Sequence, residues 1–294
     1  MHPVLAGAVV LVTGAGRGMG AIYARRAVEG GARAVALWDV DTDAAQRVAA
    51  TLASPGVEVE VYGADLMDRE AIEAGARAVV ERFGQVDVLV NNAGIVRGAP
   101  FWEHDPVRDI EGTLRVNTLA PMWLTRTLLP AMMADLSRPK RILNVASAAG
   151  TLANPNMSVY AASKWALIGW SDSIRLELAR LGHAHVAVTT FCPSYVSTGM
   201  FAGARGPLLT PIMTPERAAA DAWRGMLRGQ PFVLRPWTVK LSMALRGTLP
   251  VRWWDAVAGR VFGVYSSMDQ FTGRTPRGSE GSDGASSAEI GSLD

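Results

Sequence analysis

The sequence predicts an α/β fold built on a doubly wound parallel sheet of about seven strands, with helices on both faces. Three observations lead to this fold. Short apolar runs alternate with segments of helical periodicity along most of the 294 residues. Apolar residues make up 49% of the chain, which is enough to bury a sheet on both faces. A glycine-rich turn joins the first apolar run to the first helical segment.

The predicted strands are short and apolar, the last one only weakly so. They cover Ala8–Val12, Ala34–Trp38, Val57–Tyr62, Val86–Val90, Arg141–Ala146, Val186–Phe191 and Phe232–Leu234. The predicted helices cover Met19–Glu29, Thr42–Leu52, Arg69–Phe83, Pro106–Met133, Val159–Leu181 and Pro215–Leu227. Repeated strand–helix units require a parallel sheet with right-handed crossovers. Polar residues that follow the strands should therefore meet at the carboxyl edge, where such sheets bind ligands.

The composition restricts the class of protein. The net charge of +2 implies no strong field for nucleic acid. The single cysteine, Cys192, permits no intramolecular disulfide, and we expect a cytoplasmic protein because no targeting signal is evident. No Cys/His cluster has metal-ligand spacing. The uncharged stretches Ile142–Ser163 and Ala184–Ala204 are interrupted by polar residues and proline, so neither is a good bilayer span.

The glycine turn predicts a dinucleotide site. It contains Gly14, Gly16, Arg17, Gly18, Met19 and Gly20 between the first strand and the first helix. A strand, a glycine turn and a helix aim backbone N–H groups at a phosphate, and a Cβ would block the approach of the pyrophosphate. Asp39 ends the second apolar run, nineteen positions after Gly20, where a carboxylate can accept hydrogen bonds from ribose hydroxyls.

The choice between NAD and NADP depends on two residues of opposite charge. Asp39 favours NAD because a 2′-phosphate would meet a carboxylate. Arg17 is a weaker argument for NADP, since a cation there can pair with that phosphate. Asp41 and Asp43 add negative charge, and no cation directly follows Asp39. We therefore rank NAD above NADP.

Tyr160 and Lys164 are the strongest candidates for chemistry. They lie four residues apart near the start of a predicted helix, hence on one face. A phenol is a poor acid or base at neutral pH, and a nearby ammonium would pull its pKa down. The chain has only three lysines among 29 basic residues, so this lysine is conspicuous. A plain surface pair is the alternative interpretation.

Several further residues, many of them polar, follow the predicted strands and so lie at the same carboxyl edge of the sheet. They are Asp65, Asn91 to Gly94, Ser147, and the run Pro193, Ser194, Tyr195, Val196, Ser197, Thr198. Each could be an ordinary turn or cap residue. Their shared position at one edge of the sheet is what these ordinary roles leave unexplained.

These motifs together resemble the short-chain dehydrogenase/reductase family, from about Leu5 to Leu234. The resemblance implies a Rossmann-type catalytic domain over 1–234 and a catalytic set of Asn117, Ser147, Tyr160 and Lys164. It implies that Tyr160 is the general acid/base, that Lys164 lowers its pKa, and that Ser147 orients the reacting oxygen. Asn117 would fix a water that links Lys164 to solvent. The implied cofactor residues are Gly14, Gly16, Arg17, Gly18, Met19, Gly20, Asp39, Asp65, Leu66, Asn92, Ala93, Gly94, Tyr160, Lys164, Pro193, Val196 and Thr198.

The substrate side is less defined. The family usually has Pro-Gly where this chain has Pro193-Ser194. Serine restricts the turn more than glycine does, and we still expect cofactor binding. The expected lining beside Ser147 is mostly apolar: Leu152, Met157, Tyr195, Met200 and Phe201. It predicts a hydrophobic secondary alcohol or ketone as substrate, although these residues could instead pack their own loops.

The C-terminal region departs from an ordinary domain. Residues 235–274 are basic and rich in Trp, and their stripes of apolar residues predict two amphipathic helices. We expect this extension to cover the substrate cleft or contact another subunit of a homo-dimer or tetramer, and rank contact with a membrane surface lower. Residues 275–294 are rich in Gly and Ser and predict a disordered tail. The alternatives to an enzyme are an idle dinucleotide-binding or scaffolding protein and a membrane-associated interaction protein.

Overall fold

The computed structural model describes residues 3–208 and 210–273. Seven parallel strands form one sheet in the order β3-β2-β1-β4-β5-β6-β7. They are β1 Val9–Thr13, β2 Ala34–Asp39, β3 Glu58–Gly63, β4 Val88–Asn91, β5 Lys140–Val145, β6 Val186–Pro193 and β7 Phe232–Arg235. The order reverses at β1, and ligands of such sheets bind at the crevice that this reversal opens at the carboxyl edge. The predicted α/β fold with a parallel sheet is confirmed, and all seven strands lie within a few residues of their predicted positions.

Helices cover both faces of the sheet. They are α1 Gly18–Glu29, α2 Thr42–Thr51, α3 Arg69–Phe83, α4 Gly112–Leu114, α5 Ala120–Ala134, α6 Ser158–Arg180, α7 Pro215–Leu227, α8 Trp237–Thr248 and α9 Val251–Asp255. Two buried clusters fill the space between sheet and helices. One packs α1 and α7 on one face, and the other packs α3 and α5 on the opposite face. This two-sided burial explains why the strands read as continuous apolar runs.

One predicted helix is wrong in its form. The sequence predicts a single helix over Pro106–Met133, whereas the structure has π-helical turns at Pro106–Glu111 and Arg115–Leu119 that flank α4 and precede α5. Pro121 contributes to the second irregularity because it has no N–H to give to the carbonyl of Asn117, four residues earlier. Single π-helical turns recur at functional sites. Here the second of these turns contains Asn117, which lies within the candidate site.

The C-terminal extension folds into α8, α9 and a further π-helical stretch, Ala256–Val261. Its buried residues pack with residues of the preceding domain, including Leu152. The tail predicted over 275–294 lies outside the described residues. Within the described ranges no helix is long and apolar enough to cross a bilayer, and no group of His, Cys, Asp and Glu could hold a metal ion.

Candidate active site

The turn between β1 and α1 is closed by glycines. Gly14 and Gly18 have φ angles of +65° and +54°, a region that favours glycine. A Cβ added to Gly20 would lie 2.0 Å from the carbonyl oxygen of Gly14, so no larger residue fits there. The turn leads directly into the N-terminus of α1, whose free N–H groups attract an anion. This cradle, which any Cβ would fill, fits the pyrophosphate of a dinucleotide.

Asp39 braces the glycine turn from the end of β2. One carboxylate oxygen accepts the N–H of Gly16 at 2.8 Å, and the other accepts the N–H of Asp41 at 3.0 Å. The side chain is largely buried. Arg17 pairs with Asp41 at 2.8 Å, so part of its charge is already balanced. The sequence predicts Asp39 as a ribose acceptor, and the structure adds this support of the loop backbone.

A second set of hydrogen bonds ties the loop after β4 to the glycine turn. The Thr13 hydroxyl accepts the N–H groups of Asn92 and Ala93 at 3.0 and 3.1 Å. The Asn92 amide donates to the carbonyls of Thr13 and Gly14 at 2.9 and 3.2 Å. Thr13 was not among the predicted site residues, although its position before the first glycine could have suggested it. These bonds set the width of the cleft in which the cofactor residues lie.

Four more of the predicted cofactor residues lie at or after the carboxyl ends of β3 and β6: Asp65, Leu66, Pro193 and Thr198. Asp65 follows β3, where its carboxylate accepts the N–H of Met67 at 2.9 Å and shapes the turn that includes Leu66. Thr198 lies beside the glycine turn, because a Cβ on Gly18 would be 3.5 Å from the Thr198 methyl carbon. Pro193 ends β6, and the next N–H, of Ser194, donates to the carbonyl of Arg235 at 2.8 Å, so serine is accommodated at this turn.

Tyr160, Lys164 and Asn117 are buried close to one another. The Lys164 Nζ lies 5.8 Å from the centroid of the Tyr160 ring and donates to the carbonyl of Val145 at 2.8 Å. The Asn117 amide makes a two-way pair with the backbone of Ile95, both bonds at 2.8 Å. Asn117 also donates to the hydroxyl of Ser163, one residue before Lys164, at 3.0 Å. The four-residue spacing on α6 therefore does bring the phenol and the ammonium into one buried group.

Burial dominates the electrostatics of this group. It raises the pKa of Tyr160 to about 12, and the hydrogen bond with Ser147 opposes this rise only in part. Burial also lowers the pKa of Lys164 to about 8. In the free protein the loss of hydration outweighs every other influence on the phenol, so the pKa of Tyr160 lies above its ordinary value. The expected lowering of this pKa by Lys164 stays a prediction.

A largely apolar cavity begins at Ser147 and Tyr160. Four of the predicted substrate residues line it: Leu152, Met157, Tyr195 and Phe201. The fifth, Met200, does not line this cavity but a neighbouring cleft, together with the loop that begins at Gly94. Gly199, which precedes it, has a φ of +79°, a region that favours glycine.

The far wall of the cavity comes from the C-terminal extension, as expected in one of its two predicted roles, although the predicted lining named none of its residues. It is formed by Trp237, Thr238, Val239, Leu241, Ser242 and Leu245 of α8, with Phe262 and Val264 beyond. The amphipathic pattern of α8 was the available signal. A hydroxyl of the extension ties it to the loops around the cavity: Ser267 bonds to the Tyr195 hydroxyl at 2.8 Å and accepts from the Asn154 amide at 3.2 Å.

Comparisons with known proteins agree with this geometry. Residues 8–207 match the family model of the short chain dehydrogenases. Estradiol 17-beta-dehydrogenase 11 of Rattus norvegicus is 35% identical over 258 residues, which span 87% of this chain and 85% of that protein. A short chain dehydrogenase/reductase of Burkholderia phymatum, solved with NAD, superposes with a TM-score of 0.74 at 26% identity, covering 83% of this chain and 94% of that one. A metagenomic short-chain oxidoreductase solved with NADP gives a TM-score of 0.64 at 32% identity, with 79% and 97% covered.

Proposed function

The chain belongs to the short-chain dehydrogenase/reductase family, an oxidoreductase family that uses a nicotinamide dinucleotide, and on that premise we propose that it interconverts a hydrophobic secondary alcohol and its ketone with NAD. The observation that carries the proposal is the placement of two hydroxyls, of Ser147 and Tyr160, at the inner end of an apolar cavity. An apolar cavity with a few convergent polar groups is the usual form of a site for a small apolar ligand. The rat relative is named for estradiol, which is such an alcohol.

The residues that would hold the cofactor surround the glycine turn. The pyrophosphate would lie against Gly14, Gly18 and the start of α1. Asp39 would accept hydrogen bonds from the ribose hydroxyls, and Thr198 would contact the end of the cofactor that lies next to the reacting groups. When bound, the nicotinamide ring supplies or accepts a hydride at the substrate carbon. The chain's own residues manage the oxygen of the substrate and its proton.

Ser147 and Tyr160 act on the substrate oxygen. The Ser147 hydroxyl donates to it and stabilises the negative charge that develops there. Tyr160 gives a proton to that oxygen in ketone reduction and takes one from it in alcohol oxidation. With a pKa of about 12, the free protein holds Tyr160 protonated at neutral pH, ready to act as the acid. Lys164 places its amino group beside the phenol and compensates the phenolate in the oxidative direction.

The preference for NAD rests on Asp39. Its carboxylate is fixed by two backbone N–H groups, so it cannot easily turn away from a 2′-phosphate. Arg17, the strongest argument for NADP, is paired with Asp41. An idle dinucleotide-binding protein would have no need to bury Asn117, Tyr160 and Lys164 together, and this assembly favours an enzyme. The cytoplasmic location and the homo-oligomeric state remain predictions.

A turnover screen with NAD(H) and NADP(H) over secondary alcohols and ketones, steroids included, tests the proposal. Tyr160→Phe should lower kcat by about 10²–10⁴-fold, the usual contribution of a positioned acid or base, and leave cofactor affinity unchanged. Tyr23→Phe is the matched control, since the buried hydroxyl of Tyr23 has no hydrogen-bond partner within the described residues. Near-normal rates in Tyr160→Phe would remove this residue from the mechanism, and no turnover of any substrate would favour the idle protein.

A further inference from the structure

The substrate cavity opens to the outside through an apolar rim. Leu208, Trp237 and Leu241 all line the cavity, yet they are 59%, 62% and 39% exposed. Residues that both line a cavity and face outward mark its mouth. The mouth is therefore ringed by large apolar side chains at the surface of the protein.

The helix that carries this rim is apolar on its outer side as well. We use "the α8 outer face" for Trp237, Lys240, Leu241, Met243 and Ala244, which are all exposed on one side of α8. The opposite side buries Thr238 and Val239. A surface helix normally turns charged or polar residues to water. Here the outer side carries an indole, a leucine, a methionine and an alanine around a single charge.

The charges of α8 are all basic, and the helix that follows it carries one exposed cation, Arg252, and one carboxylate, Asp255, which accepts the Tyr265 hydroxyl. Helix α8 contains Lys240 and Arg246 and no acidic residue. The next helix begins Val251, Arg252, Trp253, all exposed, with the valine and tryptophan 73% and 70% exposed. Exposed Trp among aliphatic and basic side chains is the combination that settles at the headgroup level of a lipid layer.

We propose that the α8 outer face docks on a phospholipid surface that contains anionic headgroups, so that the mouth of the cavity opens toward the lipid. Lys240 is placed to meet the anionic headgroups, and Trp237, Leu241 and Met243 to enter the interface. A second copy of the chain on the same rim would cover the mouth and close the cavity to substrate. A lipid layer instead dissolves apolar alcohols and ketones and so brings them close to the mouth. The role of the mouth rests on the proposed function, whereas the docking itself does not.

Vesicle sedimentation of the full-length protein tests the docking without any assay of turnover. The protein should bind vesicles of phosphatidylcholine with phosphatidylserine more tightly than vesicles of phosphatidylcholine alone, and added salt should weaken the binding. The double variant Lys240→Glu, Met243→Ser should bind at least ~10-fold more weakly, because it reverses one charge and removes one apolar contact. Neither residue lines the cavity.

Leu136→Ser with Leu181→Ser is the matched control. Both leucines are 74% exposed and precede β5 and β6, which places them at the amino edge of the sheet, opposite the cavity. The control should bind vesicles like the wild type. Absence of vesicle binding by the wild type, or equal binding by the α8 variant, would overturn the proposal. A lower particle mass of the α8 variant in light scattering would also overturn it, because the face would then be a subunit contact. Vesicle binding without turnover would leave the docking intact and refute only the proposed function.

Discussion

The cofactor side and the substrate side of the cleft are held together in different ways. On the cofactor side, Asp39 and Asn92 fix the glycine turn through hydrogen bonds of 2.8 to 3.2 Å to backbone groups. On the substrate side, the walls are apolar clusters that join Leu152 to Trp254 and Tyr160 to Met268. A hydrogen-bonded cradle accepts few residue types, whereas an apolar wall tolerates many of similar volume. The first kind of region can be recognised from a short sequence motif, whereas only part of the second can be predicted.

The largest effect should follow a change on the cofactor side. Gly20→Ala puts a Cβ 2.0 Å from the Gly14 carbonyl oxygen and 2.8 Å from the Asn92 amide nitrogen, so both loops must move. We expect NAD affinity to fall about 100-fold, which corresponds to the ~3 kcal/mol upper range for overpacking. Titration of cofactor fluorescence measures it.

Gly169→Ala is the control for this substitution. Gly169 lies in α6 with no atom within 4 Å of an added Cβ, and alanine there should raise the stability of the helix by roughly 0.5–1 kcal/mol. Its NAD affinity should not change. Unchanged NAD affinity in Gly20→Ala would show that the cradle is less rigid than its contacts indicate, and the contrast between the two sides would fail.

The same contrast explains how much of the fold and of the site can be predicted from the sequence. The strands, the glycine turn, Asp39 and the Tyr160–Lys164 pair follow from periodicity and short spacings, and the structure places them as expected. The two-way pairing of Asn117 with Ile95 depends on an irregular helix that periodicity does not reveal.

The substrate wall is harder to predict because its members are far apart in sequence. The pattern of α8 shows that one side of it is buried, but not against which loop. Met200 illustrates a related difficulty, since it follows a glycine of positive φ and lines a neighbouring cleft instead of the cavity. Tertiary packing determines both the partner of α8 and the position of Met200, and no local sequence pattern reveals that packing.

The cofactor side and the substrate side of the cleft meet at Lys164. The burial of this residue predicts how the free energy of unfolding depends on pH. Burial lowers the pKa of Lys164 to about 8, below its usual value near ~10.4. Between these two pH values the unfolded chain binds more protons than the folded protein, so the free energy of unfolding should rise with pH across that window. Relative to Lys164→Met, the rise should be about 2 kcal/mol in urea unfolding from pH 7.5 to 10. Tyr160, whose pKa burial raises, contributes the opposite trend only at higher pH.

Lys240→Met is the control, because Lys240 is exposed on α8. This variant should keep the dependence of the wild type. A flat profile in the wild type would indicate that the Lys164 amino group is hydrated, and that the buried junction between the two regions is more open than its contacts suggest.

A smaller effect should follow from Asp39→Ala. The variant loses the acceptor of the Gly16 N–H and the charge that opposes a 2′-phosphate. We expect NAD to bind about 10-fold more weakly, since a hydrogen bond to a charged group contributes ~1.5–3 kcal/mol, and the ratio of NAD to NADP affinity to fall. Asp43→Ala, on an exposed residue of the first turn of α2, should alter neither quantity. A wild type that already prefers NADP would show that Arg17 outweighs Asp39.

The smallest effect is expected on the substrate side, where a single hydroxyl ties the C-terminal extension to the cavity. Ser267 donates to the carbonyl of Val264 at 2.7 Å, so its oxygen is left to accept from the Tyr195 hydroxyl and the Asn154 amide. Ser267→Ala removes that acceptor and should cost about 1 kcal/mol. Because the apolar wall around it remains, we expect KM for the substrate to rise about 5-fold while NAD affinity stays the same. Ser266→Ala, an exposed neighbour, serves as the control. If Ser267→Ala weakened NAD binding as much as substrate binding, the two sides of the cleft would be one cooperative unit, and their separate construction would have no functional meaning.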